Sequence, residues 1–169
     1  TKSVALNRIT SKHINELLLP SIDLKEQNKN PAIAVGLPAG PGSAAGKIVF
    51  DADVADKLYK LGEKVILVRE ETSPEDVHGM FAAEAILTSR GGMTSHAALV
   101  ARGWGKCCVV GCKDILINHK KNILFANNKT YKEGDWLTIN GTTGSVYSGK
   151  LKLIKTELSN SLEYKNLMR

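Results

Sequence analysis

The stretch Ser89-Arg-Gly-Gly-Met-Thr-Ser-His-Ala-Ala-Leu-Val-Ala-Arg102 determines both the local fold and the chemistry that this chain can perform. The apolar segment at 85–89 predicts a strand that enters a tight turn at Gly91 and Gly92. A helix is predicted to begin near 94 or 95, which places His96 in its first turn. Unpaired backbone N–H groups and the positive end of the helix dipole stabilise a bound anion at that position.

Imidazole is the side chain that is substantially neutral, and therefore nucleophilic, near pH 7. We therefore interpret His96 as a catalytic histidine that accepts a phosphoryl group and passes it on. Nε2 is the expected site of phosphorylation. Nδ1 is expected to be held by a backbone or hydroxyl partner that fixes the tautomer.

Five neighbours of the histidine are candidates for stabilising the phosphate: Arg90, Gly91, Gly92, Thr94 and Ser95. Each has a simpler alternative, because hydroxyl residues at a helix start are often caps and glycines often serve the backbone of a turn. Arg102 lies six residues after His96, on a different helical face, and is predicted to be a structural or docking residue.

The composition is that of an ordinary globular protein, with 43% hydrophobic and 24% charged residues among 169. No apolar run approaches the roughly 20 residues that span a bilayer, so no membrane partner is expected. The net charge is +6, and from Lys113 onward ten Lys and Arg face five Asp and Glu. This excess predicts a solvated basic face or, alternatively, attraction to nucleotide phosphates or an acidic neighbouring domain. Aromatic residues are only 5%, which argues against nucleic-acid binding.

Three cysteines, Cys107, Cys108 and Cys112, are typical of a reducing compartment rather than of a disulfide framework. Cytoplasm is the expected location, with an organelle such as a glycosome or plastid as the alternative. The first two cysteines lie in an apolar run and are predicted to be buried. Their spacing is not that of a zinc site, so no metal site is predicted. Zinc binding together with His96 or His119 is the alternative.

Strands alternate with helices of about ten residues, which predicts an α/β fold. Strands are expected at 45–50, 65–69, 85–88 and 107–110. Helices are expected at 51–61, from Ser73 to about Ala83, and at 95–103. The later part of the chain has a β-rich pattern, with short strands expected at 122–126, 136–140 and 145–148.

Three segments are predicted along the chain: a tail and linker at 1–31, a globular domain at 32–150 and a linker at 151–169. The first segment has a helical pattern up to Pro20 and is then polar. The last segment is predicted to be partly helical around 156–168. Thr1 in place of Met predicts a fragment or a processed product.

The pattern Gly-Gly-x-Thr-x-His, followed by small and aliphatic residues and Arg102, resembles the phosphohistidine signature of the phosphoenolpyruvate (PEP)-utilising enzymes. The resemblance covers about 32–150. The flanking residues at 71–76 and 105–109, together with Met93, are similar to the pyruvate phosphate dikinase branch rather than to PEP synthase or enzyme I.

The resemblance implies a swivelling β/β/α phosphohistidine domain with tails at both ends. It implies partners in the same polypeptide, a nucleotide-binding domain and a PEP/pyruvate-binding barrel, and a homodimeric full enzyme. Magnesium would be bound by those other domains. His96 would accept phosphoryl from the ATP/phosphate site and transfer it reversibly to pyruvate.

The resemblance also marks Thr94 as a regulatory phosphorylation candidate. This domain alone is not expected to be active, because it has neither a phosphate-binding P-loop nor an acidic pair placed for magnesium. The alternatives are a PEP synthase or enzyme I-type carrier domain, a metal-binding module, or a non-catalytic docking module of the same fold.

Overall fold

The structure is a computed structural model that describes residues 21–118, 120–151 and 153–154. The helices are α1 (Leu24–Lys29), α2 (Ala52–Lys60), α3 (Val77–Ala82) and α4 (His96–Trp104), with a 3-10 turn (Pro74–Asp76) directly before α3. The strands are β1 (Ser21–Ile22), β2 (Ala34–Val35), β3 (Leu37–Gly40), β4 (Ser43–Val49), β5 (Val65–Arg69), β6 (Ala85–Thr88), β7 (Cys107–Val110), β8 (Leu116–Asn118), β9 (Ile123–Ala126), β10 (Lys129–Lys132), β11 (Trp136–Asn140), β12 (Ser145–Ser148) and β13 (Leu153–Ile154).

The centre of the domain is an eight-stranded sheet in the order β2-β12-β11-β4-β5-β6-β7-β3. Strands β4 to β7 run parallel, and the other neighbours pair antiparallel. Strands β6 and β7 are buried along their whole length, as is β5 up to its last residue. Strands covered on both faces have nearly continuous apolar sequences, which is why the sequence predicted these three so well.

The two faces of this sheet are covered differently. Helices α2, α3 and α4 cover one face, where Val65 and Leu67 of β5 pack with Met80 and the alanines of α4. On the other face, Ile66 and Val68 pack with residues of a three-stranded antiparallel sheet in the order β10-β9-β8. The layers are therefore β/β/α, and the predicted α/β fold class is confirmed.

Helix starts follow the predicted capping chemistry. Asp51 accepts hydrogen bonds from the N–H groups of Asp53 and Val54 at 2.7 and 3.3 Å, which confirms it as the N-cap of α2. Ser73 precedes Pro74, and Pro74 occupies the first position of the 3-10 turn, as expected for a residue without an N–H. No helix in the described ranges is long and apolar enough to cross a membrane.

The segments predicted as linkers contain secondary structure where the structure describes them. β1 and α1 lie in the stretch predicted to be a polar linker, and Asp23 caps α1 by accepting from the N–H of Lys25 at 2.9 Å. β1 pairs antiparallel with β13, so the two chain segments that flank the domain are hydrogen-bonded to each other. The helices predicted within 1–19 and 156–168 lie outside the described residues.

Six strands, β1, β2, β3, β8, β10 and β13, were not predicted from the sequence, and two of them, β8 and β10, form the edges of the small sheet. β10 carries exposed Lys129 and Lys132 and only one buried residue, Tyr131. β8 has no fully buried residue. The apolar signal that marks a strand is therefore weak in β10. β8 has the apolar residues Leu116 and Ile117 but is only three residues long, and the place of both strands at the edges of the small sheet accounts for their exposure.

Candidate active site

The site forms where two adjacent parallel strands end. β5 continues into the loop 70–73, and β6 continues into the loop 89–95. The two loops are joined by backbone hydrogen bonds, from Ser89 N–H to Arg69 O at 3.2 Å and from Arg90 N–H to Glu70 O at 3.0 Å. The carboxyl ends of neighbouring parallel strands are a common place for ligands in α/β folds.

The turn before α4 depends on Gly91. Its φ is +95°, a region that residues with a Cβ rarely adopt, and a Cβ there would lie 3.0 Å from the Cβ of Ser95. Gly92 has open space around its missing Cβ, and its carbonyl accepts the Ser95 N–H at 3.0 Å. Of the two predicted turn glycines, Gly91 is therefore the one that the backbone requires.

Two residues that were not identified from the sequence, Thr88 and Gly111, support this turn. Thr88 is buried, and its hydroxyl donates to Arg90 O at 2.7 Å. Gly111, with φ +60°, packs so closely that a Cβ there would lie 2.7 Å from Gly91 O. The need for glycine at position 111 cannot be predicted from the neighbouring residues, because it arises from contact with Gly91, which is distant in sequence.

His96 is the first residue of α4, directly after the N-cap Ser95, and is half-buried. Its Nδ1 lies 3.0 Å from the hydroxyl oxygen of Thr72 on the neighbouring loop. When the ring proton is on Nδ1, this nitrogen donates to Thr72, and Nε2 keeps its lone pair. A backbone or hydroxyl partner for Nδ1 was expected, and in the structure this partner is the hydroxyl of Thr72, a residue that the sequence suggested only as part of a helix start.

A pocket of about 270 Å³ opens beside the imidazole ring. Its walls come from both loops and from the first turn of α4, and the lining residues are Glu71, Thr72, Thr88, Arg90, Gly91, Ser95, His96 and Ala97. Three of the five residues predicted around the phosphate, Arg90, Gly91 and Ser95, line this pocket. Gly92 and Thr94 do not line it, although each is next in sequence to a residue that does.

The first turn of α4 leaves donors available at this pocket. Ser95 Oγ accepts the Ala98 N–H at 3.4 Å, which confirms Ser95 as the N-cap. Within the described ranges, the N–H groups of His96 and Ala97 donate to no protein acceptor. Such groups satisfy their hydrogen-bonding capacity by binding an anion or water.

Arg90 lies at the mouth of the pocket with its side chain 68% exposed. Its nearest carboxylate is that of Glu70, at 3.7 Å between Nη1 and Oε2. An ion pair this exposed holds its partners weakly. The guanidinium can therefore turn toward a phosphate without losing a strong contact.

Thr94 and Arg102 lie outside the pocket lining. Thr94 is exposed, so its predicted contact with phosphate stays a prediction. Arg102 reaches back from the last turn of α4, where Nη2 donates to Met93 O and Nε donates to Ala98 O at 3.3 Å. The bond to Met93 fastens the loop to the helix, and the bond to Ala98 holds the side chain along the helix, in agreement with the structural part of the predicted structural or docking role.

The three cysteines are free and buried. Burial raises the pKa of the Cys107, Cys108 and Cys112 thiols to about 12, so they stay protonated at neutral pH. Zinc binds thiolates, so these thiols are poorly suited to it. In the described ranges, no group of three or more His, Cys, Asp or Glu is placed to hold a metal ion.

Residues 61–144 match a family model described as "PEP-utilising enzyme, mobile domain". β5, β6, the loops 70–73 and 89–95 and His96 all lie within that range. The chain belongs to the PEP-utilising enzymes and corresponds to their mobile domain.

Among those enzymes, the chain is similar to pyruvate, phosphate dikinase. It is 52% identical over 159 residues to the chloroplastic enzyme of Flaveria pringlei. This alignment covers 94% of this chain and 17% of the relative. It is also 48% identical over 162 residues to chloroplastic pyruvate, phosphate dikinase 1 of Arabidopsis thaliana. That alignment covers 96% of this chain and 17% of the relative. The chain thus spans less than a fifth of the length of these curated relatives.

A solution NMR structure of an enzyme I protein aligns with 64% of this chain and 38% of that chain. The two share 24% identity, and the TM-score is 0.37. A similarity this distant supports no conclusion about the chain.

Proposed function

We propose that this chain is a phosphohistidine carrier domain in which Nε2 of His96 accepts and releases a phosphoryl group. The supporting observation is the contact of 3.0 Å between Nδ1 and Thr72 Oγ1. This contact directs one ring nitrogen into the protein and leaves the other for a ligand. A histidine held in this way at a helix N-terminus is suited to carrying a charged group.

The proposed transfer needs no protein group to move a proton. The Nε2 lone pair attacks the phosphorus of the donor, and the bond between phosphorus and the donor's bridging oxygen breaks. The electron pair leaves on that oxygen. Nδ1 keeps its proton, which it donates to Thr72, so the phosphorylated ring is cationic and remains a good leaving group.

In the second transfer, an oxygen of the pyruvate enolate attacks the same phosphorus after another domain has removed a proton from the methyl carbon. The P–N bond breaks, and its electron pair returns to Nε2. His96 is then ready to accept another phosphoryl group. Each step is proposed to be reversible, since the reverse transfer breaks the P–N bond and forms the P–O bond again without consuming any other group.

While the phosphoryl group is on His96, its oxygens are proposed to accept from the free N–H groups of the first turn of α4. The Arg90 guanidinium supplies the nearest mobile positive charge. Ser95 and Gly91 shape the pocket so that the backbone approaches the phosphate closely. Thr94 is proposed to act from outside the pocket, as a regulatory site where an added phosphate would repel the phosphoryl donor.

The larger enzyme is proposed to interconvert ATP, phosphate and pyruvate with AMP, pyrophosphate and PEP, because the similar proteins are pyruvate, phosphate dikinases. At a nucleotide-binding domain, Nε2 of His96 would attack the β-phosphorus of ATP and release AMP. Phosphate would then attack the terminal phosphorus of the diphosphoryl group on His96, so that pyrophosphate leaves and one phosphoryl group stays on Nε2. A PEP/pyruvate barrel would then discharge His96. The domain would swing on its flanking segments, near 20–35 and 148–160. A tether gives a high local concentration of carrier at each site.

The remaining features of the larger enzyme follow from the same proposal. Magnesium is proposed to bind in the other domains, and the full enzyme is proposed to be a homodimer. Cytoplasm is the proposed compartment because three free cysteines are typical of a reducing environment. A plastid is the alternative, since several similar plant enzymes are named chloroplastic.

The test uses the longer enzyme that contains this chain, as wild type and as His96→Ala. Each is incubated with magnesium and PEP labelled in its phosphoryl group. Acid-labile, base-stable label is expected on the wild type only, in the peptide that contains His96. Equal label on both proteins, or none on the wild type, would contradict the carrier role and favour a non-catalytic docking module.

A further inference from the structure

A second surface lies next to the phosphoryl site and is not used by the chemistry above. Two grooves run from the site onto the small sheet. The first, of about 290 Å³, is lined by Glu70, Ser89, Arg90, Lys113, Ile115, Leu116 and Ile117. The second, of about 560 Å³, is lined by Glu70, Leu116, Ile117, Asn118, Lys120, Ile123 and Phe125.

The grooves are continuous with the pocket of His96. Arg90 lines both that pocket and the first groove. Leu116 and Ile117 line both grooves. A body that approaches Nε2 closely enough to deliver a phosphoryl group from this side would therefore meet this surface.

The centre of the surface is an apolar pair. Leu116 of β8 lies directly opposite Phe125 of β9 in the antiparallel register. The two residues are 67% and 42% exposed, although both belong to a sheet whose other face is in the core. Adjacent large apolar residues left in water at the edge of a functional site are typical of a contact surface.

The rim of this surface is positively charged. Lys113 borders the first groove and Lys120 borders the second. The Glu70 carboxylate, which lines both grooves, lies 3.7 Å from the Arg90 guanidinium, so its charge is offset by that of Arg90. The two lysines therefore give the rim a net positive charge, which attracts carboxylates.

From these observations we infer that the surface of Leu116, Phe125, Lys113 and Lys120, here named the Leu116 face, docks one other folded domain of the same longer polypeptide. That domain presents an apolar side chain to the Leu116–Phe125 pair and carboxylates to the two lysines. It is the domain whose bound donor or acceptor then faces His96. The relatives are about six times longer than this chain, so such domains are available. This inference rests on the proposed carrier function.

The first test is cross-linking of the longer enzyme with a water-soluble carbodiimide, which joins amines to contacting carboxylates without a spacer. Peptide mapping is expected to show Lys113 or Lys120 joined to Asp or Glu of one other domain. The double variant Lys113→Arg, Lys120→Arg keeps both charges and is expected to lose these links. Lys129 and Lys132, exposed on the far strand β10, are the control.

Cross-links from Lys129 and Lys132 to the same carboxylates at equal frequency would overturn the inference. So would links only to residues of this chain or of a second copy of it. If the wild type takes no label on His96, the carrier function itself fails. If it is labelled but these links are missing, only the docking inference fails.

The second test is functional and uses the double variant Leu116→Ser, Phe125→Ser. Labelling of His96 is measured separately from the nucleotide donor and from PEP. One of the two half-reactions is expected to fall about tenfold, as for loss of a central apolar contact, while the other stays near wild type. Leu61→Ser, a change at a residue 71% exposed on the helical layer, is the matched control.

An equal fall in both half-reactions would show an effect on His96 itself rather than on docking of one domain, and would overturn the inference. No fall in either half-reaction would also overturn it. Thermal unfolding of the variants checks that they are folded, and the retained half-reaction provides a second check in the same protein.

Discussion

Two strand-to-helix junctions lie side by side in this domain and have similar parts. After β5, Ser73 precedes the 3-10 turn and α3. After β6, Ser95 precedes α4. At the first junction the anion is internal, because the Asp76 carboxylate, only 8% exposed, accepts the Ser73 N–H at 3.0 Å. At the second junction no side-chain carboxylate occupies the helix start, and the serine hydroxyl alone serves as the cap.

This difference gives the two junctions different roles. The first, here called the fixed junction, already has a carboxylate at its helix start, so its loop is held in place and positions the hydroxyl of Thr72. The second, here called the open junction, can accept an anion from outside and contributes the nucleophile, His96. A phosphate-binding helix start is thus identified by what is absent from its first turn as well as by its glycines and serine.

The largest effect is expected from Gly91→Ala, which disturbs the open junction. The φ of +95° and the contact of 3.0 Å with Ser95 Cβ predict a loss of about 1–3 kcal/mol in the free energy of unfolding. His96 labelling should fall with it, because the turn positions the start of α4. Urea unfolding and labelling are the measurements. The control Gly92→Ala meets open space and should change stability by less than about 0.5 kcal/mol. Similar losses in both variants would contradict this account.

The next effect concerns the hydroxyl from the fixed junction. Thr72→Val removes the partner of Nδ1, and the rate of His96 labelling is expected to fall about tenfold, equivalent to one lost hydrogen bond of about 1.4 kcal/mol. Thr72→Ser keeps the hydroxyl and should keep most of the rate. A wild-type rate in Thr72→Val would show that the contact at 3.0 Å does not matter for transfer.

A smaller effect separates the two serines. Ser95→Ala removes the cap of α4 and should cost about 1 kcal/mol of stability and lower the labelling. Ser73→Ala should cost less, because Asp76 still accepts the Ser73 N–H at 3.0 Å, and should leave labelling unchanged. Chemical denaturation and labelling of both variants provide the comparison. If Ser73→Ala impaired labelling as much as Ser95→Ala, the division between the junctions would be wrong.

The smallest effect is expected at Thr94, which lies on the outside of the open junction. Thr94→Val should label at nearly the wild-type rate because the side chain is exposed and does not line the pocket. Thr94→Glu places a negative charge near the entry path and should lower the rate, as a regulatory phosphate would. The rates of His96 labelling in Thr94→Val and Thr94→Glu are the measurement. A large loss of rate in Thr94→Val would show that the Thr94 hydroxyl contacts the phosphate.

The open junction was easier to predict from sequence than the fixed one. The strand, turn, cap and histidine of the open junction all lie in one continuous stretch, 85–102, so they could be predicted together. Thr72 lies 24 residues before His96, and nothing local shows that the two side chains meet. Their contact follows from the parallel pairing of β5 and β6, which brings the two loops together.

The same physical reason explains the other results. Strands buried on both sides, such as β5 and β7, have strong apolar sequences, and their ranges were predicted correctly. β8 and the exposed Leu116 were not predicted, because a strand of three residues is too short to show an alternating pattern. The fold class and the nucleophile could therefore be predicted from the sequence. The Thr72 hydroxyl that positions His96 and the Leu116 face could not, because both depend on contacts between different segments of the chain.

The most direct test of the central claim is to determine which imidazole nitrogen carries the phosphate. The longer enzyme is phosphorylated with labelled PEP and digested in alkali, and the two phosphohistidine isomers are separated chromatographically. The contact of Nδ1 with Thr72 predicts that the label is on Nε2 of His96. Label on Nδ1, or on a residue other than His96, would contradict the account.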